Sequence, residues 1–482
     1  MNGQKYPSKP KKERVSHETR PTNKNFRSND VKVSLGDKLL ITIKRLGING
    51  EGIGYYKRKI TFIPGALPDE VVDVTVTNIT DKFIEAEVNK IKKRSPHRIK
   101  PIDNQDVGGV ELAHLAYSEQ LVFKTDLIRQ ALEKYQPRGF KYYDLRPTIG
   151  MDDPTGYRSK AQFPIREVNG KLRVGMYRRQ SHELIDLPAI STQNPITLKV
   201  VRTVRDIMAD LGTSIYDEKR NRGMVKTLIA RVSSSTGFVQ LTIVTSQNDI
   251  YGVDELIQAI NAELPEVVSI SQNINPGTSS LIWGDDTKLL WGDEYITETI
   301  NGKDFKLSPR AFLQLNPTQT ARLYQEAISA LDLTHADKLI DAYSGVGTIG
   351  ISLADLAGEV RGMDTVPEAI DDANENVADN GLNNAEYFVG AAERLIPNWA
   401  REGWIADALV VDPPRTGLGE PLRQTILATK PEKFVYISCN PSTLARDLVD
   451  LAKVYRVEYI QSIDMFPQTA RWEGVVKLTK IK

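Results

Sequence analysis

Lys338-Leu339-Ile340-Asp341-Ala342-Tyr343-Ser344-Gly345-Val346-Gly347-Thr348-Ile349-Gly350 reads as a short apolar run that ends in an acid, turns on glycines and opens a helix. Apolar runs of similar length recur at residues 360–364, 386–389, 408–412 and 433–438, with helical spacing between them. Two more, at 455–465 and 475–479, follow before the chain ends. Upstream, Asn316-Pro317-Thr318-Gln319 supplies a helix start, with a capping Asn, Pro at the first helical position and Gln at the third. Strand–helix alternation of this kind predicts a doubly wound, mostly parallel sheet. Such sheets bind ligands outside the carboxyl ends of their strands, so the residues just past each run are the ones to read for chemistry.

Past the first run, glycines let backbone approach a ligand and a helix N-terminus favours negative charge. Many α/β proteins use such a turn only for packing. Asp364, about twenty residues on, can accept hydrogen bonds from ribose hydroxyls. Together the two features predict a nucleoside-containing cofactor, and no phosphate-loop lysine points to ATP. Past the fourth run, Asp412-Pro413-Pro414-Arg415 forms a stiff turn that could hold a planar base, or simply a rigid loop. Past the fifth, Cys439 stands in Ser438-Cys439-Asn440-Pro441. A lone cysteine is usually an inert small hydrophobe. Here its position and the following helix N-terminus predict a favoured thiolate able to attack an electrophilic carbon. Glu473, beside Trp472, is either a general base or a surface acid.

The 482 residues are 40% hydrophobic and 26% charged, as in an ordinary globular chain. No apolar run is long enough to cross a membrane, and the charged N-terminus has no secretory pattern. One cysteine excludes an intramolecular disulfide and a cysteine-rich metal site, and five scattered histidines show no ligand spacing. The net charge of +1 conceals an asymmetry. Residues 1–30 carry eight Lys/Arg against three Asp/Glu, and residues 31–100 carry fourteen against eight, so the rest of the chain is acidic overall. A basic front end suits a polyanion. Residues 1–30 have too few large apolar side chains to fold and are expected to form a disordered basic arm. Residues 31–92 show period-two apolar patterning broken by glycine and proline turns, which predicts a small OB-like barrel. Tyr55, Lys57, Arg58 and Lys59 would give it a stacking ring and phosphate-binding charge. Residues 93–295 read as an α+β domain without assignable chemistry.

Phe312-Leu313-Gln314-Leu315-Asn316, residues 341–350, Asp412-Pro413-Pro414-Arg415, Ser438-Cys439-Asn440-Pro441 and Asp464-Met465-Phe466-Pro467-Gln468 resemble, in order and spacing, the S-adenosylmethionine-dependent RNA uracil-5-methyltransferases. The cluster-free Gram-positive members acting on 23S ribosomal RNA are the nearest in kind. Residues 50–54 and 62–68 resemble their TRAM barrel. The resemblance implies a Rossmann-like class I methyltransferase domain at 296–482 with a seven-stranded sheet. A TRAM barrel at 31–92 and a central α+β domain at 93–295 precede it, and the helix near 112–135 packs on the methyltransferase domain. It further implies Cys439 as the nucleophile on uracil C6 and Glu473 as the base for the C5 proton. Gln314, Tyr343, Asp364 and Asp412 would contact S-adenosylmethionine. The expected partner is 23S ribosomal RNA, and the expected form a cytoplasmic monomer. The rivals are the same reaction on a transfer RNA uridine and a non-catalytic RNA-binding protein. The chain departs from the family's pattern at three places. Val107-Gly108-Gly109-Val110 stands where relatives bind an iron–sulfur cluster through Cys-Gly-Gly-Cys, so no cluster is expected. Asp364 stands where Glu is usual, and Arg471 where His is usual.

Overall fold

The computed structural model describes residues 32–481, apart from 104, 180, 279 and 280, so the basic segment 1–30 lies outside the described residues. Five strands, β1 (Lys38–Leu46), β2 (Gly52–Tyr56), β3 (Lys59–Ile63), β4 (Val71–Ile79) and β5 (Phe83–Lys93), close a barrel in the order β1-β2-β3-β5-β4. Alternate residues Leu39, Ile41, Ile43, Val72, Val74, Val76, Ile84 and Ala86 point inward and form its core. Gly54 is needed for closure, since a Cβ there would lie 2.2 Å from the Ile41 side chain. Lys57 and Arg58, both at positive φ, make the two-residue turn between β2 and β3.

The chain then forms α1 (Tyr117–Tyr135) and β6 (Asp144–Ile149). A second sheet follows, built from β7 (Lys160–Val168), β8 (Lys171–Tyr177), β9 (Leu184–Asp186), β10 (Val225–Val232), β11 (Val239–Thr245), β12 (Val267–Ile274) and β13 (Asp286–Gly292). Its order is β13-β12-β11-β10-β7-β8-β9. Helices α2 (Pro195–Asp210) and α3 (Val253–Glu263) contribute to its apolar core. Val107 and Val110 are buried in that core, so the Val-Gly-Gly-Val segment is secured by apolar packing.

A hairpin of β14 (Ile296–Ile300) and β15 (Lys303–Leu307) leads to α4 (Pro317–Leu331) and the third sheet. Strands β16 (Lys338–Ala342), β17 (Glu359–Asp364), β18 (Ala385–Val389), β19 (Ala408–Val411) and β20 (Lys433–Ser438) are parallel. Between them run α5 (Thr348–Leu353), α6 (Pro367–Asp379), α7 (Ala392–Arg401) and α8 (Glu420–Thr429), and α9 (Pro441–Leu451) leads to β21 (Tyr455–Ile463) and β22 (Glu473–Lys480). The order is β18-β17-β16-β19-β20-β22-β21-β6, with β22 antiparallel to both neighbours. The alternation expected from the sequence is present, with β6 as an additional edge strand parallel to β21. Residues 144–149 contain Pro147, which is tolerated at a sheet edge and disguises the strand in the sequence. The third sheet therefore draws on residues ahead of position 296, and α1 packs on β6 and α9.

The contact that positions the end of β21 is buried. Lys124, on the inner face of α1, pairs with Asp464, and both side chains are almost wholly shielded from solvent. Lys124 also donates to the Phe466 carbonyl at 2.9 Å, and the Tyr117 hydroxyl donates to Asp464 at 2.9 Å. One turn away, the Gln120 amide donates to the Gln468 side chain and accepts from the Gln468 N–H, each at 2.9 Å. The loop leading to Glu473 at the start of β22 is thus clamped to α1 at several points. Lys124→Met leaves Asp464 as an unpaired buried charge and is expected to cost about 3–5 kcal/mol, read as a fall in the denaturant midpoint. Replacing Asp464 by Leu in the same chain should recover most of that loss.

Candidate active site

The loop after β16 is shaped by its side chains. Tyr343 adopts a positive φ of 64°, a strained conformation for a bulky residue. The Gly350 N–H donates to Asp341 at 2.8 Å, and the Tyr387 hydroxyl donates to the Gly347 carbonyl at 3.1 Å. A Cβ at Gly350 would lie 2.4 Å from the Tyr387 hydroxyl and 2.8 Å from Asp341, so only glycine fits. The second Asp341 oxygen and the Ser344 hydroxyl are buried without a partner. Such orphaned polar atoms at strand ends mark where a polar ligand would sit. Asp364 accepts from the Gly345 and Val366 N–H groups, each at 3.1 Å, which aims its carboxylate at the loop mouth. Gln314 is buried, and two residues on Asn316 caps α4 and donates to the Met465 carbonyl at 3.0 Å. The spacing Gly345, Gly347, Gly350 is that of the G-x-G-x-x-G turn, so the loop alone does not separate a nucleoside from a dinucleotide.

Pairing register brings the reactive groups together. Ser438 of β20 stands opposite Gly474 of β22, so Cys439 and Glu473 are the next opposed positions. Asp412 follows β19, the other neighbour of β20, and its N–H bonds to the Ala342 carbonyl at 3.3 Å. Cys439 is half-buried. Burial, then Glu473 and Asp412, push its thiol up to about 12, and Arg415 partly opposes them. This corrects the expectation that the N-terminus of α9 favours a thiolate: shielding and two carboxyls outweigh the helix end. Burial, reinforced by Asp412, holds the Glu473 carboxyl well above the usual range, with Arg415 pulling it down. Burial and Asp341 push Asp412 up to about 7, and burial does the same to Asp341 itself. Crowded carboxyls and a thiol share protons here, an arrangement suited to proton transfer at a reacting carbon.

Sequence reading singled out Cys439, Glu473, Asp412, Tyr343, Asp364 and Gln314, but it missed Asp341 as an ionisable member of this group. The signal for Asp341 was its place at the end of the first strand. The barrel residues Tyr55, Lys57, Arg58 and Lys59 belong to β2, β3 and the turn between them, where Tyr55 is exposed and the Lys57 ammonium lies 5.3 Å from the Tyr56 ring centre. A separate groove of about 1220 Å³ connects the barrel to α1 and to Pro441 and Ser442, just beyond Cys439. Among the described residues, no group of three or more His, Cys, Asp or Glu side chains could hold a metal ion, and no helix is long and apolar enough to cross a membrane.

A parallel sheet that closes with an antiparallel strand pair, with a glycine-rich loop after its first strand, defines a class I S-adenosylmethionine-dependent methyltransferase. Residues 116–481 match the model of the tRNA (uracil-5-)-methyltransferase family, and residues 32–88 match the TRAM domain. The chain belongs to the RNA uracil-5-methyltransferase family and carries a TRAM domain. An uncharacterized RNA methyltransferase of Lactiplantibacillus plantarum is 53% identical over 98% of this chain and 99% of its own length. One of Bacillus anthracis is 47% identical over 94% and 99%. The Pyrococcus abyssi tRNA (uracil-54, C5)-methyltransferase, solved with S-adenosyl-L-homocysteine, has a TM-score of 0.73 and 26% identity over 91% of this chain and 99% of its own.

Gly350→Ala forces a methyl group against Tyr387 and Asp341, overpacking expected to cost about 1–3 kcal/mol. Calorimetric unfolding measures that loss, and titration with S-adenosylmethionine should show weaker binding in the same variant.

Proposed function

We propose that this protein methylates C5 of a uridine in 23S ribosomal RNA. The observation that carries the reading is the convergence of Cys439, Glu473 and Asp412 beside a glycine-rich loop with orphaned polar atoms. Uracil C5 is a poor nucleophile until a group adds at C6. The Cys439 sulfur adds there, giving up its proton to ionised Asp412 as the C–S bond forms. The electron density placed on C5 then takes a methyl group, which S-adenosylmethionine supplies. Glu473, in its ionised form, removes the C5 proton, the C6–S bond breaks, and the leaving sulfur takes back the proton held by Asp412. Gln314, Tyr343, Asp364 and Asp412 are the residues assigned to the cofactor. The orphaned Ser344 and Asp341 oxygens fit its polar groups. A target base must leave its stack to meet a half-buried thiol, which suits a looped RNA.

Ribosomal RNA is favoured because the barrel and its basic turn at Lys57 and Arg58 add a cationic contact surface beyond the methyltransferase domain. The TRAM barrel at 31–92, the central α+β segment and the methyltransferase domain would act as one cytoplasmic monomer. The likeness to the Pyrococcus abyssi enzyme, whose description names tRNA, favours transfer RNA as the second reading. Assays with purified 23S and transfer RNAs as methyl acceptors separate the two.

The decisive experiment is mass spectrometry of the protein with S-adenosylmethionine and a 5-fluorouridine-substituted 23S RNA fragment. Fluorine cannot leave as a proton, so a methylated adduct on Cys439 is expected and should be absent in Cys439→Ser. Methyl transfer to natural RNA with no adduct would overturn the mechanism. Glu473→Gln is expected to slow turnover by about 10²–10⁴-fold while the adduct accumulates on natural RNA. Because Asp412 is raised to about 7 and acts as a carboxylate, kcat/KM should rise as pH increases through about 7 and fall below it.

A further inference from the structure

Four cations are carried by three separate segments that border the site. Arg158 and Lys160 come from the approach to and start of β7, Arg415 follows the two prolines after Asp412, and Arg471 lies two residues before Glu473. Their backbones are fixed against the site. The Ser159 N–H donates to the Leu315 carbonyl at 2.8 Å, next to Gln314, and the Tyr157 hydroxyl donates to the Pro467 carbonyl at 3.0 Å. The Asn440 amide donates to the Arg415 carbonyl at 2.9 Å, which sets Arg415 beside Cys439. The Arg471 N–H donates to Thr469 at 3.1 Å.

The charged ends are treated differently. Arg231, paired with Lys160 across β7 and β10, spends its guanidinium on the Ser308 and Ala311 carbonyls. Among the described residues, no carboxylate lies within ion-pair distance of Arg158, Lys160, Arg415 or Arg471. Lys160 is half-buried, and burial together with Arg231 and Arg158 pulls its ammonium down to about 7. Burial, then Arg415 and Arg158, likewise destabilise the charged form of Arg471, with Glu111 and Cys439 partly opposing them. Like charges held close by backbone bonds are costly unless an anion joins them.

We propose that Arg158, Lys160, Arg415 and Arg471 form a cradle for the backbone phosphates of the RNA strand whose base enters beside Cys439. This rests on the RNA-methylating reading and deepens it. The other anion available is the carboxylate of S-adenosylmethionine. Phosphate is favoured because Arg415 and Arg471 are felt by Cys439, and Arg415 by Glu473, on the side where the base reacts. Arg471 adds a permanent charge to this cradle.

The test is the salt dependence of binding to a short oligouridylate, with S-adenosylmethionine affinity measured in parallel. Each phosphate contact with a single strand contributes about 0.7 to the slope of log K against log salt. Arg158→Gln, Lys160→Gln and Arg471→Gln should each lower the slope by about 0.7 and weaken binding roughly 5–10-fold. Lys160→Arg should keep both, and S-adenosylmethionine affinity should stay unchanged. An unchanged slope in Arg158→Gln and Arg471→Gln overturns the proposal even where Lys160→Gln fails to fold. A parallel loss of S-adenosylmethionine binding assigns the cradle to the cofactor and overturns it as well. Methyl transfer by the unaltered protein is scored on 23S RNA in the same series. Transfer with unchanged slopes defeats the cradle alone, and lowered slopes without transfer to uridine defeat the function alone.

Discussion

The buried ion pair between Lys124 and Asp464 joins a helix that precedes the methyltransferase sheet to the loop that ends it. Burying two charges is unfavourable unless each is fully engaged. Here Lys124 also meets the Phe466 carbonyl, while Asp464 also accepts from Tyr117. The Tyr117 hydroxyl in turn accepts from the Met151 N–H, at 2.8 Å. With the Gln120–Gln468 pair, these bonds set the path of the chain from Asp464 to Glu473. The carboxylate on β22 therefore depends on polar groups about 350 residues earlier, and on the edge strand β6 beside them.

Electrostatics in the site runs in two directions from Cys439. Inward, Asp341, Asp412 and Glu473 are crowded together out of water, and each raises the cost of ionising another. The thiol shares that environment and stays protonated in the free protein. Outward, Arg415 opposes both effects and stands with other cations that have no carboxylate partner. An anionic strand would neutralise the outer group as its base meets the inner one, so binding and reaction are coupled through charge. The neutral resting thiol also limits reaction with other electrophiles, because the thiolate is the nucleophilic form.

How much of this was legible in the chain varies by element. The period-two patterning of the barrel and the strand–helix alternation after Asn316 are local properties, so both could be read directly. Strand β6 was hidden by Pro147, and α1 showed an apolar stripe without showing what that stripe packs on. The residues past the strand ends, Asp412, Cys439 and the loop at 343–350, were legible because a parallel sheet places them by topology. Glu473 was ambiguous, since a lone acid beside a tryptophan has no periodic signature.

The sequence by itself determined the fold class and the place of Cys439, because spacing of apolar runs dictates the sheet and the sheet dictates which residues sit at its carboxyl edge. It also excluded a cysteine-bound cluster, since a count of one needs no geometry. Only the tertiary structure decided the protonation of Cys439, the company of Asp341, and the approach of the segments that carry Arg158, Lys160, Arg415 and Arg471. Those depend on burial and on distances between segments far apart in the chain, and neither quantity is a function of local spacing. A helix N-terminus predicted from the sequence lowers a thiol pKa; the desolvation and neighbouring carboxyls that outweigh it exist only once the chain has folded.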